Sequence, residues 1–344
     1  MTVRLNDSHI NMSHGSGGKA MRTLIEDVFL GAFGNTLLDK LEDQAIVPLA
    51  DLARYGDRLA FTTDSYVVDP LFFPGGDIGT LAITGTVNDL AVSGARPLFL
   101  SCGMVLEEGL PVELLRRVCA SMRTVADQVG VSIVTGDTKV VERGAADKLF
   151  INTSGIGVIA PSVSLSAANA RPGDVVIASG MLGDHGTAIL IARNQLALES
   201  EIESDCQPLD GLVAAMLAAC PAIHCLRDAT RGGVATVLNE FARSSGVGIR
   251  IQERHLPLRE EVKGACEILG LDPLYLANEG KLIAVVAPGD AAAVLAAMRA
   301  HPAAGEAAVI GVVAGRPGIV TMQTAFGGER IVDMLVGEQL PRIC

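Results

Sequence analysis

The sequence predicts two α/β domains side by side, and three observations predict it. Strand-length and helix-length apolar patterns alternate through both halves of the chain. Its 344 residues are enough for two domains of ordinary size. Hydrophobic residues make up 49% and aromatics only 3%, with 38 glycines, so the core must be built from small aliphatic side chains, closely approaching backbones and tight turns.

Residues 1–40 form an N-terminal segment. It is polar and glycine-rich up to His14-Gly15-Ser16-Gly17-Gly18-Lys19, and then Met21, Leu24, Ile25, Val28 and Phe29 recur at the spacing of a helix over 19–33. The glycine stretch is not a P-loop: in G-x-x-x-x-G-K-[ST] register, Ser13 stands where the first glycine belongs and Ala20 where the hydroxyl belongs. A flap that closes over a ligand and an ordinary flexible N-terminus both fit it.

Residues 41–160 read as the first domain, with strands over 59–68, 97–106, 131–140 and 148–160 and helices over 77–93 and 113–129. The second helix carries Leu114, Leu115, Val118, Met122, Val125, Ala126 and Val129 on one stripe. A Ser-, Ala- and Pro-rich stretch over 161–172 is the linker. The second domain, 173–330, shows strands over 175–179, 223–226, 248–251, 282–287 and 308–313, and a helix beginning at Gly183. Further helices are expected over 209–220, 234–241, 258–269 and 291–300.

Residues 331–344 are expected to form a flexible tail. A thiol on the last residue, Cys344, is unusual, because structural cysteines favour burial and chain ends resist ordering. Pro341 stiffens the backbone before it and biases Leu340 toward an extended conformation. The end therefore reads as a probe able to enter a cleft in its own or a neighbouring subunit, with an incidental cysteine on a frayed tail as the alternative.

A net charge of −12 argues against a nucleic-acid or anionic-membrane surface, which would need clustered Lys and Arg. No run approaches 18 uninterrupted apolar residues and 1–14 lacks the apolar core of a signal peptide, so a cytoplasmic protein is expected. The seven cysteines lack a CxxC pair and suit a reduced compartment. Cys220, His224 and Cys225 suggest a metal site, but buried small hydrophobes explain the cysteines more simply.

Four aspartates share a setting in the first domain: Asp43, Asp64, Asp89 and Asp137, of which Asp64 and Asp137 interrupt apolar strands and Asp89 an apolar helix. A carboxylate buried without a partner is costly, and too few Lys and Arg lie nearby to pair with all four. A divalent cation such as Mg²⁺, shared with nucleotide phosphates, would satisfy them. A cap, a turn or a surface ion pair explains any one of them alone. Strand alternation puts Thr135, Asp137 and Lys139 on one face. In the second half, Arg227-Asp228-Ala229-Thr230-Arg231-Gly232-Gly233 reads as a helix start, capped by Asp228 or Thr230 or facing an anion. Asn278-Glu279-Gly280-Lys281 sets a carboxylate just before a strand, where either a general base or ordinary turn chemistry fits.

Together, His14-Gly15-Ser16-Gly17-Gly18, Thr63-Asp64-Ser65-Tyr66, Asn88-Asp89-Leu90-Ala91-Val92-Ser93-Gly94-Ala95, Gly136-Asp137-Thr138-Lys139-Val140-Val141, the two second-half motifs and the ending Pro341-Arg342-Ile343-Cys344 closely resemble the HypE family of hydrogenase maturation proteins. That family belongs to an ATP-dependent superfamily with aminoimidazole ribonucleotide synthetase, thiamine-monophosphate kinase and selenophosphate synthetase. The resemblance implies a synthetase-like fold whose first domains pair through their sheets into a barrel in a homodimer. It also implies ATP and Mg²⁺ as cofactors, a HypF-type carbamoyltransferase that loads the terminal cysteine, and a HypC–HypD iron scaffold that receives the product. The reaction implied is ATP-dependent dehydration of an S-carbamoyl group on Cys344 to S-cyanate, the source of the cyanide ligand of [NiFe]-hydrogenase.

Carried over position by position, the resemblance makes Cys344 the covalent carrier and Lys139 and Glu279 the catalytic candidates. Asp43, Asp64, Asp89 and Asp137 become the metal ligands. These four aspartates, with Gly17, Gly18, Lys19, Asn88 and Thr138, become the nucleotide-binding residues. Arg342 is expected to lower the pKa of the terminal thiol. The rival readings are a selenophosphate-synthetase-like phosphotransferase, which would carry a reactive cysteine in the N-terminal loop where this chain has none before Cys102, and a non-catalytic thiol carrier.

Overall fold

A computed structural model describes residues 4–193, 201–335, 337, 340 and 342–344. The first half holds β1 (Arg58–Tyr66), α1 (Ile78–Val92), β2 (Ala95–Glu107), α2 (Val112–Val129), β3 (Ser132–Val141) and β4 (Leu149–Ile159). Its four strands form one open sheet in the order β1-β4-β2-β3, with β2–β3 parallel and the other pairs antiparallel.

Helix α1 starts where the Asp77 carboxylate accepts the N–H groups of Gly79 and Thr80 at 2.7 and 3.0 Å. It is apolar almost all round, because one side packs on the sheet and another on the second half of the chain. Helix α2 buries one stripe, Val112, Leu115, Val118, Cys119, Met122, Val125 and Ala126, and ends at Gly130, whose left-handed φ of 79° closes it. The 19–33 stretch is helical as expected, with a π turn over Ile25–Phe29 inside it.

The second half contributes β5 (Val175–Ala178), α3 (Asp184–Ala192), α4 (Asp210–Ala219), β6 (Cys225–Asp228), α5 (Gly233–Ser245), β7 (Ile249–Gln252) and α6 (Glu260–Leu269). Then follow β8 (Leu282–Val286), α7 (Ala291–Ala300), β9 (Ala308–Val312), β10 (Val320–Gln323) and β11 (Glu329–Ile331). Its seven strands run in the order β11-β10-β7-β9-β5-β8-β6. Every residue of β8 is buried: Ile283 and Val285 pack into a core with α5, whereas Leu282, Ala284 and Val286 pack into another with α4 and α7. The sheet is thus covered on both faces, which is why the run reads as continuously apolar.

Two features differ from the sequence reading. β10 and β11 were not expected, since they are four and three residues long and lie among glycines. Helix α5 begins at Gly233 with Gly232 as its cap and no side-chain cap, so neither Asp228 nor Thr230 fills that role. No helix among the described residues is long and apolar enough to cross a membrane.

The halves are joined by Asn88. Its side-chain oxygen accepts the Leu209 N–H at 2.8 Å, and its amide group donates to the carbonyls of Gln207 and Glu279 at 3.1 and 3.2 Å. Replacing it leaves three buried backbone groups unpartnered. Asn88→Ala is therefore expected to lower stability by about 2–3 kcal/mol in urea unfolding, against about zero for a surface Asn→Ala control.

Candidate active site at the seam between the halves

Side chains alternate along β1, so Thr62 and Asp64 face α1 while Phe61 and Thr63 face away from it. The Thr62 hydroxyl donates to the Asp89 carboxylate at 2.8 Å, which ties β1 to α1. From the second half come Asp228, paired with Leu282 at the end of β6, and Glu279, three residues before β8. These four acids influence one another. Burial raises the pKa of Asp89, and Asp64 adds to the rise while Arg227 and Arg231 oppose it. Asp228 is pushed up to about 7, first by burial and then by Asp89. Glu279 is held well above the usual carboxylate range by burial and by Asp205, Asp228 and Asp64. Its Oε1 is buried and has no hydrogen-bond partner among the described residues.

The loop at 203–209 builds this corner. Asp205 accepts the N–H groups of Glu279 and Gly280 at 2.9 and 3.3 Å and forms an ion pair with Lys281 at 3.2 Å, both side chains nearly dry. A Cβ on Gly280 would lie 2.0 Å from the Asp205 carbonyl oxygen, so only glycine lets the two loops approach. Sequence reasoning passed over Asp205, which falls in a stretch without periodicity. The buried Asn278 belongs to the same corner: its oxygen accepts the Gly183 N–H at 2.8 Å and its amide donates to the Ala229 carbonyl at 2.8 Å.

The chain end is seated beside this cluster. The Arg342 carbonyl accepts the Asp69 N–H at 3.3 Å, the Cys344 carbonyl accepts the Val67 N–H at 3.0 Å, and Ile343 is buried among core residues. Leu340 and Ile343 line a cavity of about 230 Å³ with Arg231, Gly232, Tyr275 and Ala277. Where a flexible probe was expected, the last three residues are docked. Arg342 pairs with Asp147 and lies 3.8 Å from Asp69, so its charge is directed at those carboxylates. Pro341, credited above with stiffening the end, lies outside the described residues.

The remaining candidates lie elsewhere. Thr135, Asp137 and Lys139 stand in register with Ser101, Gly103 and Val105 of β2, and Ser101 and Val105 in turn with Ser154 and Phe150 of β4. They therefore share the sheet face opposite α1, where the Asn152 amide donates to Thr63 and Ser65. Asp137 and Lys139 are 3.5 Å apart and both about two-thirds exposed. Lys139 and Glu279 thus lie on opposite faces of one sheet. Gly136, Asp137 and Thr138 line a largely apolar cavity of about 210 Å³ with Glu42 and the helical stretch from Met21 to Phe33, and exposed Asp43 follows Glu42 in the chain.

The glycine-rich loop abuts this edge. A Cβ on Gly15 would lie 2.9 Å from the Val140 nitrogen, whereas Gly17, Gly18 and Lys19 are exposed. Asn88, a nucleotide-binding candidate, has its amide occupied by backbone groups in the seam. Asp64 and Asp89 are brought together, Asp137 and Asp43 are not brought to them, and among the described residues no group of three His, Cys, Asp or Glu could hold a metal. His224 Nδ1 donates to the Asp174 carboxylate at 2.7 Å, and among the described residues it joins no metal group with Cys220 and Cys225.

Residues 41–159 match the family model of the AIR synthase related protein, N-terminal domain, and 171–323 that of the C-terminal domain. Over 343 residues the chain is 60% identical to the carbamoyl dehydratase HypE of Rhodobacter capsulatus, covering 99% of this chain and 100% of that one. A crystal structure of HypE in complex with ATP superposes with a TM-score of 0.92 at 50% identity, covering 97% and 99% of the two chains. A HypE–HypF complex superposes with a TM-score of 0.79 at 48% identity, covering 91% and 99%.

Asp228 and Glu279 bind a proton more tightly in the folded chain than in the unfolded one. The stability they allow therefore falls as pH climbs from about 4, where the unfolded acids ionise, through about 7, where folded Asp228 does. Asp228→Asn removes one such group. Its melting temperature is expected to exceed that of the parent by about 2–4 °C at pH 8 and to match it at pH 4, read by calorimetry at both pH values.

Proposed function

The chain belongs to the carbamoyl dehydratase HypE family of hydrogenase maturation enzymes, within the AIR synthase related proteins, and we propose that its substrate group is carried on its own Cys344. One observation carries the proposal: the terminal residue is hydrogen-bonded to Val67, three residues after Asp64, in the seam that also holds Glu279. ATP is the phosphoryl donor, as the ATP complex of a 50% identical HypE supports. A HypF-type protein supplies the carbamoyl group, as the HypE–HypF complex supports. A HypC–HypD iron scaffold receives the cyanide.

The chemistry follows from the leaving group. The carbamoyl oxygen of Cys344–S–C(=O)–NH₂ leaves poorly; transfer of the ATP γ-phosphoryl to it gives an imidate phosphate, ADP and a proton. Loss of phosphate with the second N–H proton then gives the S-cyanate, so the elements of water depart as phosphate and protons. Glu279 is the proton acceptor in this reading, because a carboxylate whose pKa burial has raised is a stronger base once ionised. Asp64 and Asp89, with Arg231 nearby, form the wall of the phosphate region.

The donor set suits Mg²⁺, which takes one or two carboxylates and leaves its other positions to phosphate and water; burial first and then the neighbouring Asp64 raise the pKa of Asp89, a rise that a bound cation would oppose. Asp64 and Asp89 would hold it, with Asp137 and Asp43, at the β3 edge, reaching it only from a second copy, and it would supply neutralisation of the triphosphate. Gly17, Gly18 and Lys19 would cover the nucleotide, and Thr138 would line the cavity beside it.

Lys139 reaches such a site only across two subunits. The face that carries it is open and apolar, with Phe61, Ile156 and Phe99 in register over three strands, and Phe61 and Leu59 are 69% and 59% exposed. An exposed apolar sheet face of this kind calls for a partner. We take that partner to be a second copy, the two sheets closing into a barrel in which the β3 edge of one chain, carrying Lys139, lies beside the β1 edge of the other, carrying Asp64, so that each Lys139 reaches the other chain's Glu279 around that edge rather than through its sheet.

Intact-mass spectrometry tests the reaction. Carbamoylated protein with Mg-ATP should lose the mass of one water at its C-terminal peptide. Cys344→Ala should never acquire the adduct, and an adduct of unchanged mass after ATP turnover would reject the assignment. Mixing tests the shared site. Lys139→Ala and Glu279→Gln are each expected to be inactive, and an equimolar, re-equilibrated mixture should recover about a quarter of parental activity, because half the dimers are mixed and each carries one intact site. No recovery, in a mixture that exchanges subunits, would place both residues in one chain's site.

A further inference from the structure

We propose that His185 is the positioning residue that seats the terminal cysteine, and that it does so through the same loop that fixes Glu279. The seating of Cys344 near Glu279 is taken from the reading above, whereas the contact itself is independent of it. His185 lies in the first turn of α3, fully buried, and neither the sequence motifs nor the reaction call for it. Its Nε2 is 2.7 Å from the Ile343 carbonyl oxygen and its Nδ1 is 2.8 Å from the Ser204 hydroxyl. A carbonyl oxygen can only accept, so Nε2 carries the hydrogen and Nδ1 accepts from Ser204. Burial lowers the pKa of the ring, which keeps this neutral form.

The ring is fixed from every side. Phe73 meets it edge-on at 5.6 Å between centroids. Ser204 is held in turn: its N–H donates to the Pro74 carbonyl at 2.8 Å, and its hydroxyl oxygen accepts the Cys206 N–H at 3.1 Å. The next residue along is Asp205, which grips the backbone of Glu279 and Gly280. One short loop therefore sets both the imidazole that holds residue 343 and the carboxyl that lies beside the thiol's cleft.

The last three carbonyls of the chain each have a donor: Asp69 and Arg193 for Arg342, His185 for Ile343, and Val67 for Cys344. The neighbouring two are each met by a backbone N–H, which any sequence supplies, with the Arg193 guanidinium added at Arg342. Among the described residues the middle one is met by a side chain alone, so His185 fixes the backbone between the Arg342 ion pairs and the last residue.

The test reads the thiol, with neither ATP nor a carbamoyl group present. Full-length protein is exposed to iodoacetamide and the rate of Cys344 alkylation is followed by the mass of the C-terminal peptide. His185→Ala should be alkylated about five- to tenfold faster than the parent, the worth of one buried hydrogen bond. His185→Gln places an amide N–H near the former Nε2 and should return the rate to within about twofold, whereas His185→Asn, whose amide reaches only the Nδ1 position, should behave like Ala. Ser204→Ala, a milder change to the same contact, gives an intermediate rate and serves should His185→Ala fail to fold. Equal rates in parent, Ala and Asn variants that melt normally, or an unprotected Gln variant, would overturn the assignment. Because no turnover is read, the dehydratase chemistry can fail while this result stands, and the reverse.

Discussion

The Asp205 carboxylate is the contact on which the rest of the seam depends. It accepts two amide hydrogens from the Glu279–Gly280 turn, faces the Lys281 ammonium, and sits on the loop whose Gln207 and Leu209 backbone groups are bound by Asn88 of the first half. A buried ion pair is a poor source of net stability, since dehydrating both ions offsets most of their attraction. Its value here is geometric. An uncompensated buried charge is costly enough to hold Asp205 and Lys281 together, and in that arrangement one Glu279 oxygen has no partner among the described residues and faces other acids.

Acids crowded until their pKa values rise are held at a cost, and a cation or a proton relieves it. Arg227 and Arg231 offset part of the crowding at Asp89, and Arg231 also borders the cavity that receives Ile343. The acid cluster and the cavity at the chain end thus share one arginine.

Much of the fold was legible in the sequence. The stripes of α2 and of the 19–33 stretch and the apolar run of β8 follow local rules, and each formed close to its expected place. β10 and β11 were not legible, because three or four residues carry too little periodicity to register. Of the site, Asp64, Asp89 and Glu279 were readable as polar residues in apolar company, and they do converge. Asp205 and His185 were not. Asp205 lies in a non-repeating loop, and a lone histidine on an apolar helix is indistinguishable by composition from a core residue. Their importance comes only from partners 74 and 158 positions away.

The two faces of the first sheet carry the last step. Strand alternation is a rule of period two, so it assigned Thr135, Asp137 and Lys139 to one face correctly, yet it says nothing about which face of the sheet a residue on another domain will approach. α1 covers the Asp64 face and brings Glu279 to it; the Lys139 face is left with Phe61, Ile156 and Phe99 in a row. A single chain cannot fold its sheet so that both faces meet one ligand, because the sheet itself stands between them. Either one of the two residues is not catalytic, or the missing wall comes from another molecule. The open apolar row favours the second, since a monomer would gain nothing from holding Phe61, 69% exposed, in water.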